Sequence, residues 1–255
     1  MDFNPFSLEN KNIIITGASS GIGQQCAIDF AKLGANVILI GRNEDRLQET
    51  LSYMPRQGNH LIFKNDLNES GKAAEIIDFT VKRIGLLDGI LNCAGISSVT
   101  PLNLLKEDII DSFFNTNVKI GILLSKEFAR KKNHNPNGGS IVFVASIMGI
   151  VGDKAKTIYS ATKGALISMS RSMAIELADK NIRVNCISPG IVETPINKNA
   201  DYLKNPNKRI LTELKHPLGI GKTHFISLPA AFLFTDASKW ITGQNIVIDG
   251  GYTAL

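Results

Sequence analysis

The segment IIITGASSGIGQQCAIDFAKLGANVILI, residues 13–40, restricts the fold more than any other part of the chain. A β-branched run leads through a glycine-rich loop into a helix-forming stretch, and a second β-branched run follows. This order makes a βαβ unit, with parallel strands and a right-handed crossover. The glycines are Gly17, Gly21 and Gly23, a G-x-x-x-G-x-G spacing. Glycine permits positive φ and close backbone approach. The following helix offers free amides and a positive dipole end to a pyrophosphate. In this setting the loop predicts dinucleotide binding rather than a structural turn. Ser19 and Ser20 add hydroxyl donors toward phosphate, with helix capping as the alternative.

The alternation continues to the end of the chain. Strands are predicted at 12–16, 36–40, 60–63, 89–93, 140–146, 183–188 and 245–249. Helices are predicted near 22–33, 44–53, 70–84, 107–132, 158–179 and 227–235. The strongest strands are continuous apolar runs, as expected where helices cover both sheet faces. The expected fold is α/β, a single Rossmann-type doubly wound domain over residues 1–255. Its mostly parallel seven-stranded sheet carries helices on both faces. The stretch 194–226 is the least regular, rich in Asn, Lys and Pro. Lying just before the last strand, it is a candidate substrate lid.

Bulk properties remove several function classes. No apolar run approaches the roughly 18 residues of a membrane span, and MDFNPFSLENKN lacks the regions of a secretory signal. Cys26, Cys93 and Cys186 are far apart, which argues against a disulfide framework and for a reducing, cytoplasmic setting. Neither they nor His60, His134, His216 and His224 have metal-ligand spacing, so no metal is expected. A net charge of +5 raises the question of nucleic acid. The only compact basic run, Arg130 to Lys132, sits at a predicted helix end, where cations complement the dipole. The surplus better suits a phosphorylated small molecule. Neither nucleic acid nor membrane is an expected partner.

Tyr159 and Lys163 stand four residues apart in IYSATKGAL. On a helix they share one face. A cation beside a phenol favours the phenolate and lowers its pKa. The pair is therefore a candidate proton-transfer unit tuned toward neutrality. A buried Tyr with a solvated Lys is the simpler alternative for one such match.

TGASSGIG and YSATK together resemble the short-chain dehydrogenase/reductase family. The resemblance spans nearly the whole chain, through NCAG at 92–95, Asn117, Ser146, PGIVET at 189–194 and IVIDGG at 246–251. It implies a nicotinamide-dependent oxidoreductase acting on a carbonyl or secondary alcohol. Tyr159 would be the acid/base catalyst, and Lys163 would tune it and hold the nicotinamide ribose. Ser146 would polarise the carbonyl, and Asn117 would hold a water linking Lys163 to solvent. Cofactor contacts would come from Gly17, Ser19, Ser20, Gly21, Ile22 and Gly23, and from Asp66 and Leu67 beside the adenine. Asn92, Ala94 and Gly95 would follow the adenosine ribose, and Pro189, Gly190, Val192 and Thr194 the carboxamide. A homotetramer is also implied, with the 107–132 and 158–179 helices and the last strand at interfaces.

Cofactor choice rests on VILIGRNEDRL. Relatives that prefer NAD carry an acid just after the second strand; here that position is Gly41. Arg42 follows, with a guanidinium suited to phosphate, and Asn43 adds a donor or caps the next helix. NADP(H) is favoured over NAD(H). The closest overall look is to 3-oxoacyl-(acyl-carrier-protein) reductases, but Ile175 stands where such enzymes often carry a carrier-docking Arg. The substrate is therefore a small carbonyl or alcohol, carrier-bound or free, a sugar or secondary metabolite among the alternatives. A non-catalytic dinucleotide sensor is the alternative from another class. Ile220, His224 and Phe225 depart from the family pattern and suggest a missing ion pair rather than altered chemistry.

Overall fold

The computed structural model describes residues 4–66, 71–197 and 205–255. Seven parallel strands form one sheet in the order β3-β2-β1-β4-β5-β6-β7. They are β1 (Asn12–Thr16), β2 (Asn36–Gly41), β3 (Leu61–Lys64), β4 (Gly89–Asn92), β5 (Gly139–Val144), β6 (Ile182–Pro189) and β7 (Asn245–Ile248). Side chains alternate across a strand, so one apolar run feeds two cores. Ile13, Ile15, Val37 and Leu39 face one layer, with Phe30, Ala230 and Ala231. Ile14, Ile38 and Ile40 face the other, with Ile76, Leu124, Phe128 and Leu166.

The first layer is built on α1 (Gly21–Lys32) and α8 (Thr223–Phe232), with α2 (Glu44–Ser52) at its edge. The second contains α3 (Lys72–Ile84), α5 (Ile120–Phe128) and α6 (Thr157–Glu176). The predicted 107–132 helix is divided. α4 (Glu107–Phe114) passes through a π-helical turn, Asn115–Lys119, into α5. The chain leaves the helix at Phe128, and Arg130 then pairs with Glu127 at 3.0 Å.

The irregular segment also differs from expectation. It contains a helix, α7 (Pro206–Leu214), whose Asn205 side chain accepts from the amides of Asn207 and Lys208. Pro206 sits at the first turn, where a missing N–H costs nothing. Residues 198–204 of the expected lid lie outside the described residues. Among the described residues, no helix is long and apolar enough to cross a membrane.

Candidate active site

The strand order places a crevice beside β1. The chain winds outward through β2 and β3, then returns to β4 on the other side of β1. Ligands of open α/β sheets bind where the winding reverses, beyond the carboxyl ends of the strands. Thr16 ties the two loops together there. Its buried hydroxyl accepts from the amides of Cys93 and Ala94, both at 3.0 Å. Gly17 follows with φ +70, and a Cβ there would meet Ala94 Cα at 3.0 Å. A Cβ on Gly23 would lie 2.3 Å from the Gly17 carbonyl oxygen. These glycines are needed for backbone to pass against backbone.

A cavity of about 1200 Å³ runs along this edge. Gly17, Ser19, Ser20, Gly21, Ile22 and Gly23 line one end. Ser20 stands at the cap of α1 but makes no capping hydrogen bond, and the first turn carries no acid. The first amides of α1 therefore have no side-chain partner and offer themselves to an anion. This fits a pyrophosphate, as the glycine loop predicts.

Arg42 lines the cavity, and Arg46 joins it from α2. Asn43 does not line it; its side chain accepts from the Arg46 amide at 2.9 Å, the capping alternative. Glu44 is turned to Lys64, 3.5 Å away. Asp66 is on the wall. Leu67 lies outside the described residues. Ala94 and Gly95 line the cavity, whereas Asn92 does not. Strand alternation turns Asn92 toward α5. Its carboxamide carbon would lie 3.7 Å from a Cβ on Gly121, and its side-chain polar atoms are buried without a hydrogen bond. Pro189, Gly190, Val192 and Thr194 line the far end.

Tyr159, Ser146 and Lys163 converge on the middle of the cavity. Ser146 Oγ accepts from the Met148 amide at 3.2 Å, and its hydroxyl stands close enough to the Tyr159 phenol to bear on its pKa. The Lys163 ammonium donates to the Val144 carbonyl at 2.8 Å and lies 5.6 Å from the centre of the Tyr159 ring. The expected lowering of the phenol pKa is outweighed by burial. Burial pushes the Tyr159 phenol up; the neighbouring Ser146 hydroxyl opposes that, and the Cys93 thiol adds to it. Desolvation also pulls the Lys163 ammonium down to about 8. Cys93 itself is pushed up to about 12 by burial, against the pull of Lys163.

Asn117 stands behind this group and does not line the cavity. Its Oδ1 accepts from the Ile96 amide at 2.8 Å, and its Nδ2 donates to Ile96 O and Thr162 Oγ1. The π turn thus clamps the loop after β4 to α6. The side chain is engaged within the protein, where it positions the loop at Ile96 against α6.

The sequence matches the family model described as enoyl-(acyl carrier protein) reductase over residues 17–253. It is 35% identical over 249 residues to a 3-oxoacyl-(acyl-carrier-protein) reductase of Thermotoga maritima, covering 96% of this chain and 98% of that one. The chain belongs to the short-chain dehydrogenase/reductase family. Its fold superposes on a structure described as a short-chain alcohol dehydrogenase from Sinorhizobium meliloti, with TM-score 0.92 and 31% identity, covering 98% and 99% of the two chains. A structure described as a 2-deoxy-d-gluconate 3-dehydrogenase from Agrobacterium tumefaciens, with NADP bound, gives TM-score 0.89 and 27% identity over 99% and 100%. This short-chain dehydrogenase/reductase is accordingly an NAD(P)-dependent oxidoreductase.

Several of its site residues were not evident from sequence. Thr16 lies inside TGASSGIG but is hidden by the glycines beside it. Thr162 lies inside YSATK; its hydroxyl receives Asn117 and donates to Tyr159 O at 2.9 Å. Asn65 donates from its amide to Gly41 O at 2.8 Å, and its buried Oδ1 on the cavity wall has no partner. Arg46, from the first turn of α2, joins Arg42 on the cavity wall only once the loop before the helix is folded.

Proposed function

We propose that this enzyme reduces a carbonyl with NADPH as the preferred hydride donor. The reading is carried by Tyr159, Ser146 and Lys163 gathered in one cavity with the uncapped start of α1. A nicotinamide held in this cavity would supply the hydride for the carbonyl carbon. Tyr159 gives its phenolic proton to the carbonyl oxygen. Burial favours the protonated phenol, the form a proton donor needs at the start. Ser146 accepts from Met148, which leaves its O–H free to donate to the developing oxyanion. Lys163 would hold the ribose hydroxyls and support the phenolate as it forms. Asn117 and Thr162 position Tyr159 and the loop at Ile96.

The preference for NADPH rests on Gly41, which offers no carboxylate, and on Arg42 and Arg46 at the same end of the cavity. The guanidinium pair suits a 2′-phosphate. α7 brings Lys208, Leu211, Thr212 and Lys215 to the cavity and is read as part of the lid. His216 pins it: its Nδ1 faces Thr212 O at 2.8 Å, and its Nε2 accepts from the Ile191 amide. Exposed Phe114, Ile122, Ile175 and Val247 suit a homotetramer through α4, α5, α6 and β7. Three free cysteines suit a cytoplasmic protein.

Two substrate readings stand beside each other. A 3-oxoacyl thioester is supported by the Thermotoga relative, and a free alcohol or sugar by the Agrobacterium one. The exposed Ile175 lacks the charge that would hold an acidic carrier. The test is a panel of carbonyl compounds, a 3-oxoacyl thioester and several free ketones, with NADPH and NADH consumption followed by absorbance. Reduction with NADPH is expected. Tight cofactor binding with no turnover on any member would favour the sensor reading.

A further inference from the structure

We propose that Lys156 is a specificity-determining residue and that the substrate carries an anionic group, a carboxylate or a phosphoryl, near its reacting carbonyl. This rests on the reading of the cavity as a carbonyl reductase site.

Lys156 immediately precedes α6, one turn before Tyr159, and lines the cavity. Its Nζ lies 5.4 Å from the centre of the Tyr159 ring, and Lys163 Nζ lies 5.6 Å from the same centre. Two ammonium groups thus attend one phenol. Lys163 is accounted for by Val144 and the cofactor ribose. Lys156 is not. It donates to Ser97 Oγ at 3.2 Å and to Ser98 O at 3.0 Å, on the loop after β4.

Both partners are neutral, and the charge is left without a counter-ion. No described carboxylate lies within ion-pair distance of Nζ. Asp153 shares the wall, but it is exposed and its Oδ1 accepts from the Lys154 amide. An ammonium has three donors, and two are used. Half-burying a cation beside neutral partners carries a cost, and that partial burial lowers the Lys156 pKa, with Asp153 opposing. A neutral amide would join the same loop without that cost. An anion on the substrate gives the charge its use.

The rest of the wall agrees. Lys208 and Lys215 border the same cavity. A thioester beside the carbonyl would not use Lys156, so the proposal separates the two substrate readings above and favours a small free anion.

Matched pairs test it: 3-oxobutanoate with its methyl ester, and dihydroxyacetone phosphate with dihydroxyacetone. Each is assayed with NADPH on the wild type, Lys156→Gln and Lys156→Arg. The wild type should favour the anionic member of at least one pair by about tenfold or more in kcat/KM, the scale of one hydrogen bond to a charged group. The pair that responds tells carboxylate from phosphoryl. Lys156→Gln should lose most of that ratio through KM, and Lys156→Arg should restore it. A ratio near one in both pairs, or a ratio that survives Lys156→Gln, overturns the proposal. A general folding defect changes both members alike and leaves the ratio intact. If no carbonyl consumes NADPH, the reductase reading fails instead. Calorimetric titration of the anionic members into NADP+-loaded protein then decides this one, and equal affinity for wild type and Lys156→Gln overturns it.

Discussion

The Lys163 ammonium donates to the Val144 carbonyl at 2.8 Å, so the end of β5 sets where the charge sits beside Tyr159. Burial holds that ammonium near 8, below the ordinary lysine value of 10.5. The charge is present below that pH and lost as pH rises through it. Wild-type affinity for NADP+ should therefore weaken between about pH 7 and 9. Lys163→Met should bind weakly throughout, with a flatter profile, as read by calorimetry. Between the two lysine values the unfolded chain holds the extra proton, so this site's contribution to stability rises with pH. The Tm of the wild type should rise relative to Lys163→Met across that window. A wild-type affinity that ignores pH would leave Lys163 as a structural anchor only.

Tyr159→Phe should fold and bind cofactor like the wild type but lose about 10²- to 10⁴-fold in kcat, the usual contribution of a positioned acid. The phenol contacts Ser146 and the substrate, whereas the cofactor is held largely by other residues. Stopped-flow turnover against cofactor titration separates the two effects. A kcat near that of the wild type removes Tyr159 from the reaction.

Arg42→Ala should erase most of the NADPH preference, expected to be at least about tenfold in kcat/KM from one charged hydrogen bond. Gly41→Asp should invert it toward NADH. A Cβ at Gly41 would come within 3.2 Å of Leu47 Cδ2 and 3.3 Å of Ser19 Oγ, both ends of side chains that can give way. Equal efficiency of the unmutated enzyme with both cofactors would exclude the assignment.

Thr16→Val should lower Tm by at least about 4 °C and weaken cofactor binding. It leaves the amides of Cys93 and Ala94 without their acceptor, at about 1–3 kcal/mol for an unsatisfied buried donor. Thr16→Ser keeps the oxygen and should recover both properties. Differential scanning fluorimetry with and without NADP+ reads the comparison. An unchanged Tm in Thr16→Val would mean that water serves the two amides as well.

The sheet and its phosphate loop were legible because their signals are local. Continuous apolar strands and Gly17, Gly21 and Gly23 need no knowledge of the remaining chain. Tyr159, Ser146 and Lys163 were legible as a set, but their electrostatics were not. Spacing gives the sign of the Lys163 effect on the phenol; burial acts with the opposite sign and is visible only in the packed cavity. Asn92 was assigned to the cofactor by its motif, yet strand alternation turns it toward α5. α7 was overlooked because its stretch is polar, although Asn205 and Pro206 are a helix start in sequence. Lys156 was invisible because nothing in its neighbours says that its partners are two serine residues.

The covered setting of the cysteines, Cys26 and Cys186 buried and Cys93 partly so, has a consequence for the protein's chemical durability. Cys93 stands at about 12 and Cys186 at about 11, and Cys26 is also pushed well up. Near neutrality roughly one Cys93 in 10⁵ is ionised. The thiolate is the form that alkylating agents and peroxides attack. Iodoacetamide and air should therefore spare an enzyme that carries a thiol on its cavity wall, and its activity should persist in storage with no added reductant.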